Sequence, residues 1–305
     1  MHRASLSDAT TSICFLSLFA ACIPSLGAAC APRVPVAPAL IEETVTFQKA
    51  PPKVGRVAIY ENTSTLLLGG KAQTKRGGSA QMVTETTVHE KWREEIVAVF
   101  DRVVTKKKVT YESMSTTEAR EGAPLATVPN VLSGHAYSVE LSHSVLVLKD
   151  AAGRDVEGAE HAELTRRHGN LGRADPFLEG IPNGPVRPHQ AASGMAGGFL
   201  EMIDGDDGAD IGNVDVRFVG SREHEAGRAG VFAFVMAVQM AGRPSMHLDL
   251  KGEFLVRIGD TAPLELDMSG PVELVDRQNV EGENVQLNAT GEIHSKLRIH
   301  YPSVP

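Results

Sequence analysis

Hydrophobic and polar residues alternate regularly near the end of the chain. Between residues 285 and 301 the odd positions are apolar or small, and the even positions from Gln286 to His300 are all polar. A β-strand separates such residues onto two faces, whereas a helix would scatter them around its axis. At about 3.4 Å per residue the stretch would span roughly 58 Å, longer than a usual strand, so we expect a bend near Gly291. The pattern predicts a long, half-buried strand.

The same alternation recurs through the C-terminal half. Residues 246–258 place apolar side chains on one face and mostly charged ones on the other, while residues 232–240 are apolar on both faces and are expected to lie centrally. Residues 214–219 and 264–275 complete four or five antiparallel strands, the last broken near Gly270 and Pro271. Residues 54–148 are also strand-like, with Glu94 interrupting one apolar face.

Two segments interrupt the β pattern. Residues 157–168 carry glutamates early and arginines late, and Gly169 follows. That order suits the helix dipole and a C-cap, so it predicts a helix of about three turns. Residues 172–198 contain four prolines and six glycines, a density of breakers that predicts a connector without regular elements.

These patterns predict a mainly β fold. Long antiparallel strands would form a barrel or an open half-barrel with one short helix, and a β-sandwich is the main alternative. The expected organisation is an N-terminal β half with the helix over residues 55–171, the connector over residues 172–198 and a C-terminal antiparallel β half over residues 199–305.

The net charge of −8 argues against a nucleic-acid partner, because phosphate contacts need clustered lysines and arginines. The basic run Lys106-Lys107-Lys108 lies in a strand-like stretch. We expect it on a solvated strand edge, where lysines discourage sheet-to-sheet association.

The cysteines indicate export. All three, Cys14, Cys22 and Cys30, lie in the first thirty residues, so the body can hold neither a disulfide framework nor a cysteine-ligated metal. Residues 1–29 have the form of a secretory signal peptide, in which Arg3 precedes an apolar stretch that ends in small residues.

The residues Leu26-Gly27-Ala28-Ala29-Cys30 resemble a bacterial lipoprotein box, with the leucine one position further from the cysteine than usual. The resemblance implies lipidation of Cys30 and attachment to a membrane, and Ala31 would suit the outer membrane. Cleavage after Ala29 to give a soluble periplasmic protein, or an uncleaved anchor, are the alternatives. Residues 30–54 contain five prolines and are expected to form a semi-rigid tether.

No motif for catalysis is apparent. The chain has no zinc-protease, nucleophile-elbow, P-loop or dinucleotide-binding signature. Residues 204–210 carry four aspartates without calcium-loop spacing, so we interpret them as a solvated acidic turn. His247, His294 and His300 lie on polar strand faces and are interpreted as exposed side chains. We therefore expect neither enzymatic activity nor a cofactor or metal.

An open half-barrel would leave apolar residues on its concave side, where burial of a lipid chain gains about 25 cal/mol per Å². The alternative is that the same side chains fill a sealed core. The candidate ligand-lining residues are Phe232, Phe234, Met236, Phe254, Val256, Leu264, Leu266 and Met268.

Short phrases such as Leu250-Lys251-Gly252-Glu253-Phe254, together with the signal segment, tether and strand pattern, resemble the β-rich envelope lipoproteins of environmental bacteria such as myxobacteria and planctomycetes. That group has no established activity to carry over. The architecture also resembles, more weakly, periplasmic lipoprotein-carrier half-barrels, which bind acyl chains. We therefore expect a non-catalytic envelope lipoprotein that binds an apolar ligand or a protein partner. A structural or interaction module with a sealed core is the alternative, and an envelope hydrolase is a third hypothesis.

Overall fold

The computed structural model describes residues 39–74, 79–120, 125–203, 209–240, 244–280 and 283–302. The signal peptide, Cys30 and most of the acidic turn at 204–210 lie outside these ranges. The strands are β1 (Val45–Thr46), β2 (Val57–Thr74), β3 (Ser79–Phe100), β4 (Val103–Arg120), β5 (Ala126–Pro129), β6 (Ala136–Ser142), β7 (Val145–Asp150), β8 (Pro185–Val186), β9 (Ala209–Arg222), β10 (Ala229–Met240), β11 (Ser245–Arg257), β12 (Pro263–Val280) and β13 (Glu283–His300). The helices are α1 (Gly158–His168), α2 (Pro176–Glu179) and α3 (Ser193–Ile203).

Eleven strands form one antiparallel sheet. Its order is β7-β6-β4-β3-β2-β13-β12-β11-β10-β9, and β5 pairs with β4 beside β6. Strands β7 and β9 stand at opposite ends and do not pair with each other among the described residues, so the sheet is open. The mainly β prediction is confirmed, and the open form is found instead of the barrel.

The two predicted β halves are parts of this one sheet. Strand β2 pairs with β13 along its length, from Ile59 opposite His300 to Thr74 opposite Val285. Because the first and last long strands lie side by side, the sheet passes from one half to the other without a break.

Strand β13 follows the predicted alternation. Ala289, Ile293, Ser295 and Ile299 are buried on one face. The strand continues through Gly291, where β2 comes so close that a Cβ atom would lie 1.7 Å from the Leu67 carbonyl oxygen. The glycine therefore permits a close approach of backbones at that position.

One face of the sheet, which we call the inner face, is covered by helices and short segments. On β2, Tyr60, Asn62, Ser64 and Leu66 alternate onto this face. At the C-terminal half it carries a large hydrophobic cluster that includes residues of β1, β8, α2 and α3. At the N-terminal half it carries a second cluster that includes Leu164 of α1.

The single predicted helix is α1, and two more helices lie where no regular element was expected. Pro176 occupies the first turn of α2, and the Asp175 carboxylate accepts hydrogen bonds from the N–H groups of Phe177 and Leu178 at 3.0 and 3.2 Å. Gly180 and Gly194 bring the end of α2 against the start of α3, since a Cβ on Gly180 would lie 2.2 Å from the Gly194 carbonyl carbon. The proline therefore begins a short helix and the glycines allow two helices to pack closely, so neither residue type prevents helix formation here.

Part of the segment assigned to the tether packs onto the body. Val45 pairs with Val186, and Phe47 is buried, with its ring centroid 5.4 Å from that of Phe232. A β-branched and an aromatic side chain therefore attach residues 45–47 to the inner face, despite the prolines on either side.

The lysine run does not lie on a sheet edge. Residues 106–108 of β4 pair with β3 on one side and with β6 on the other. Lys106 forms an ion pair with Glu140 at 2.6 Å, and Lys107 forms one with Glu94 at 3.0 Å. The prediction was wrong because cross-strand carboxylates compensate lysines inside the sheet.

Candidate functional site

The predicted ligand-lining residues belong to the large cluster on the inner face, with one exception. Phe232, Phe234 and Met236 on β10, Phe254 and Val256 on β11 and Met268 on β12 are buried, and Leu266 packs against them. The structure therefore brings together seven of the eight residues.

Leu264 is the exception. The β11–β12 register shifts between Leu255 and Val256, where Val256 pairs with Pro263. The bulge places Leu264 in a separate small cluster with Ala229, Val231 and Leu255. A count of alternating positions misplaces Leu264, because an extra residue in one strand reverses the face that follows.

Protein side chains occupy the face that these seven residues form. Phe177 of α2 packs edge-on against Phe254, with ring centroids 4.3 Å apart. Phe199 of α3 contacts Phe177 and Phe234 at 4.7 and 4.8 Å. Phe234 is 3% exposed and Phe232 fully buried, so an apolar ligand would have to displace the helices to reach them.

A cavity of about 320 Å³ lies on the inner face beside this cluster. We call it the seam pocket, because it separates the part of the sheet covered by α1 from the part covered by α2 and α3. Its walls come from residues 49–60 around the start of β2, from β3 and β4, from the 170–175 loop and from the β11–β12 turn. The volume is at the lower end of the range for small-molecule sites.

The deep wall of the seam pocket is apolar and aromatic. Tyr60 stacks on Trp92, with centroids 4.7 Å apart and the ring planes nearly parallel. The apolar lining residues include Pro51, Pro52, Ala58, Ile96, Val103, Val104, Leu171 and Leu178.

Two of the charged groups that line the pocket, Lys107 and Glu94, form an ion pair. Lys107 donates to both carboxylate oxygens of Glu94 at 3.0 Å, and both side chains are less than one-fifth exposed. Glu94 is the residue that interrupts an apolar strand face in the sequence, and the pocket is the reason for that interruption. Burial of the pair leaves each charge with a partner in a low-dielectric site.

At the opposite wall, an aromatic ring and several charged side chains lie together. The Arg56 guanidinium lies 4.3 Å from the centroid of Tyr301, and Arg257 lies 5.0 Å from it. Burial raises the pKa of Tyr301 to about 12. Burial by itself would raise the pKa of Asp260, but hydrogen bonds from Arg257 and the Ala262 N–H outweigh it, so the pKa lies below its usual value.

Next to the pocket, a set of buried polar residues lies between the two hydrophobic clusters. Asn62 donates to Glu90 at 3.1 Å, Ser64 and Ser295 are hydrogen bonded at 3.3 Å, and Arg167 of α1 forms an ion pair with Glu90. Sequence reasoning missed this group and the seam pocket. The available signal was the set of polar residues that interrupt the apolar faces of β2, β3 and β13.

His168 belongs to the same region. It is buried, and its Nε2 atom is hydrogen bonded to the Tyr111 hydroxyl at 2.8 Å. Burial and the nearby charges of Lys107 and Arg167 hold the pKa of His168 well below its usual value, so the imidazole is neutral at pH 7.

The histidines of the polar strand faces pair with carboxylates. His247 lies 3.3 Å from Asp249, His294 lies 3.0 Å from Asp267 and His300 lies 3.0 Å from Glu225. Among the described residues, no three histidines, cysteines or acidic residues are grouped as metal ligands would be.

Comparison with known proteins gives no family. No family model matches the chain, and no curated protein matches it. A structure of lipovitellin, described for its lipid–protein interactions, is similar with a TM-score of 0.35 and 8% identity, over 83% of this chain and 26% of that one. A likeness of that size establishes nothing about the function of this chain. In the described part of the chain, no helix has the length and apolar character to cross a membrane.

Proposed function

We propose that this chain is a non-catalytic lipoprotein of the bacterial cell envelope whose β-body binds a small apolar or lipid ligand in the seam pocket. The observation that carries the proposal is the pocket of about 320 Å³, with an apolar and aromatic wall, on the inner face beside the large hydrophobic cluster. Concave sites of this kind, apolar with a few placed polar groups, are where small molecules bind.

The roles of the acidic groups support a binding function over a catalytic one. Glu94 is paired with Lys107, Asp260 with Arg257, and Asp175 caps α2. These contacts give the three carboxylates a structural role in the fold.

Ligand binding is tested with the full chain carrying Cys30→Ser and a fluorescent fatty acid. Saturable binding is expected. Leu178→Trp places an indole in the pocket and is expected to weaken binding at least tenfold, whereas Val235→Trp, at a 52% exposed site, is expected to leave it unchanged. If native mass spectrometry finds the protein empty and no dye binds, ligand binding is rejected.

The membrane location of the proposal rests on Cys30. Metabolic labelling with palmitate is expected to mark the exported wild-type chain, and Cys30→Ser is expected to abolish the label. An exported chain without label would indicate the soluble periplasmic form instead.

A sealed structural or interaction module is the second candidate. It is favoured by the burial of Phe232, Phe234 and Met236 beneath the protein's own side chains. Cross-linking in intact envelopes would then capture a protein partner, and a protein that binds dye but cross-links to nothing would contradict it.

A further inference from the structure

The charged side chains around the seam pocket differ in whether they have partners within the protein. Of its acidic lining residues, Glu94, Asp175 and Asp260 each accept hydrogen bonds within the protein. Among the described residues the Glu179 carboxylate has no such partner, and the Glu179 backbone carbonyl accepts a hydrogen bond from Lys49 at 2.7 Å. The negative charge of the pocket is therefore largely neutralised by the protein itself.

Two arginines at the pocket, unlike most of its acidic residues, lack partners within the described part of the protein. Arg102 and Arg173 line the pocket and are exposed, and among the described residues neither side chain has an ion-pair or hydrogen-bond partner. Arg56 lies over Tyr301 and is 3.9 Å from Asp260. The side chains left without partners at the pocket are therefore two arginines against the single Glu179 carboxylate, a net positive charge.

The backbone segments that carry the two arginines are in contact at the pocket. The Gly172 N–H donates to the Val104 carbonyl at 3.0 Å, which brings the segment before Arg173 against the segment after Arg102. Gly172 has a φ of +86°, and a Cβ there would lie 2.2 Å from Leu141 Cδ2, so this contact depends on glycine.

We propose that the ligand of the seam pocket is a single-chain amphiphile with an anionic head group, a carboxylate or a phosphate, and that Arg102 and Arg173 bind the head. The inference rests on the proposed function. The apolar wall of Ile96, Leu171 and Leu178 takes the chain, and guanidinium groups supply the paired donors that carboxylates and phosphates accept. A cavity of about 320 Å³ matches the size of one alkyl chain better than that of a lipid with several.

The test compares amphiphiles of one chain length by displacement of the fluorescent fatty acid from the full Cys30→Ser chain. The probes are sodium laurate, dodecyl phosphate, dodecanol and dodecyltrimethylammonium. The two anions are expected to bind at least tenfold more tightly than the alcohol, and the cation more weakly still. The ratio of laurate to dodecyl phosphate distinguishes a fatty acid from a phosphate ester as the preferred head.

Substitutions then assign the effect to the two arginines. Arg102→Asn and Arg173→Asn are each expected to weaken the anions about tenfold and to leave dodecanol unchanged, because a lost charge-assisted hydrogen bond affects the charged head alone. Asparagine tolerates the positive φ of 67° at Arg102. Arg187→Asn, at an exposed arginine outside the pocket lining, is the matched control and is expected to change nothing.

The outcomes separate this inference from the proposed function. If all four amphiphiles bind equally and Leu178→Trp abolishes their binding, the pocket binds ligands but does not select an anionic head group. If dodecyltrimethylammonium binds best, the charge assignment is wrong. If none of the four binds, the proposed function fails as well.

Discussion

Loss of the Arg167 guanidinium should leave a buried charge without its main partner. Arg167 is 13% exposed and pairs with Glu90, whose side chain is 4% exposed, and with Glu163 at 2.8 Å. Burial would lower the pKa of Arg167, but these two carboxylates raise it above its usual value, so the side chain stays charged. In Arg167→Leu, Glu90 would retain the hydrogen bond from Asn62 but would lose the cation.

The expected cost at pH 7 is about 3–5 kcal/mol, the range for a buried ion pair broken on one side. Urea denaturation followed by circular dichroism measures it. Arg166→Leu is the matched control one position away, where a 33% exposed guanidinium pairs with Glu163 at 2.7 Å. That surface pair is worth less than about 1 kcal/mol.

The double variant Glu90→Leu with Arg167→Leu should recover much of the stability lost in Arg167→Leu, because both buried charges are then absent. Equal effects of Arg166→Leu and Arg167→Leu, or a double variant less stable than the single one, would refute the view that Glu90 is a buried charge compensated by α1.

Three further predictions concern the fold and are measured in the same denaturation assay. Phe199→Ala should cost about 3–5 kcal/mol, since it empties the space between α3 and the sheet, and a cost below about 1 would contradict that packing. Gly252→Ala should cost about 1–3 kcal/mol, because its Cβ would lie 2.2 Å from the Asp267 carbonyl oxygen, whereas Gly212→Ala, with open space, should cost almost nothing. Asp260→Asn should cost about 1 kcal/mol at pH 7 and less at an acid pH at which the protein is still folded. The folded-state pKa of Asp260 is lowered, so its contribution is present above the unfolded pKa and is lost as the pH falls through the folded one; an equal cost at both values would contradict this.

The sequence predicted the strands better than their surroundings. Residues 246–258 and 285–301 correspond to β11 and β13 within a residue or two, because a period of two over that length has no other regular solution. Helix α1 also falls where its charge order placed it. Helices α2 and α3 were missed because their prolines and glycines are also loop residues, and contacts between the helices decide which role they play.

The candidate site was less accessible to sequence reasoning. Seven of the eight predicted lining residues lie together, but whether Phe234 faces a ligand or Phe199 depends on where α3 packs. The seam pocket joins Pro51, Glu94, Arg173 and Tyr301, which are far apart along the chain, and no spacing rule connects them.

By itself, then, the sequence determined where the long strands of the C-terminal half lie and, apart from the bulge at Leu264, which side of them is apolar, since both follow from the local two-residue period. Only the tertiary structure decided that β2 joins β13, that helices cover the inner face and that charged residues meet in one pocket. The reason is physical. Alternation depends on residues that are neighbours in the sequence. The order of the strands and the covering of the sheet depend on contacts between residues far apart in the sequence, which no local pattern specifies.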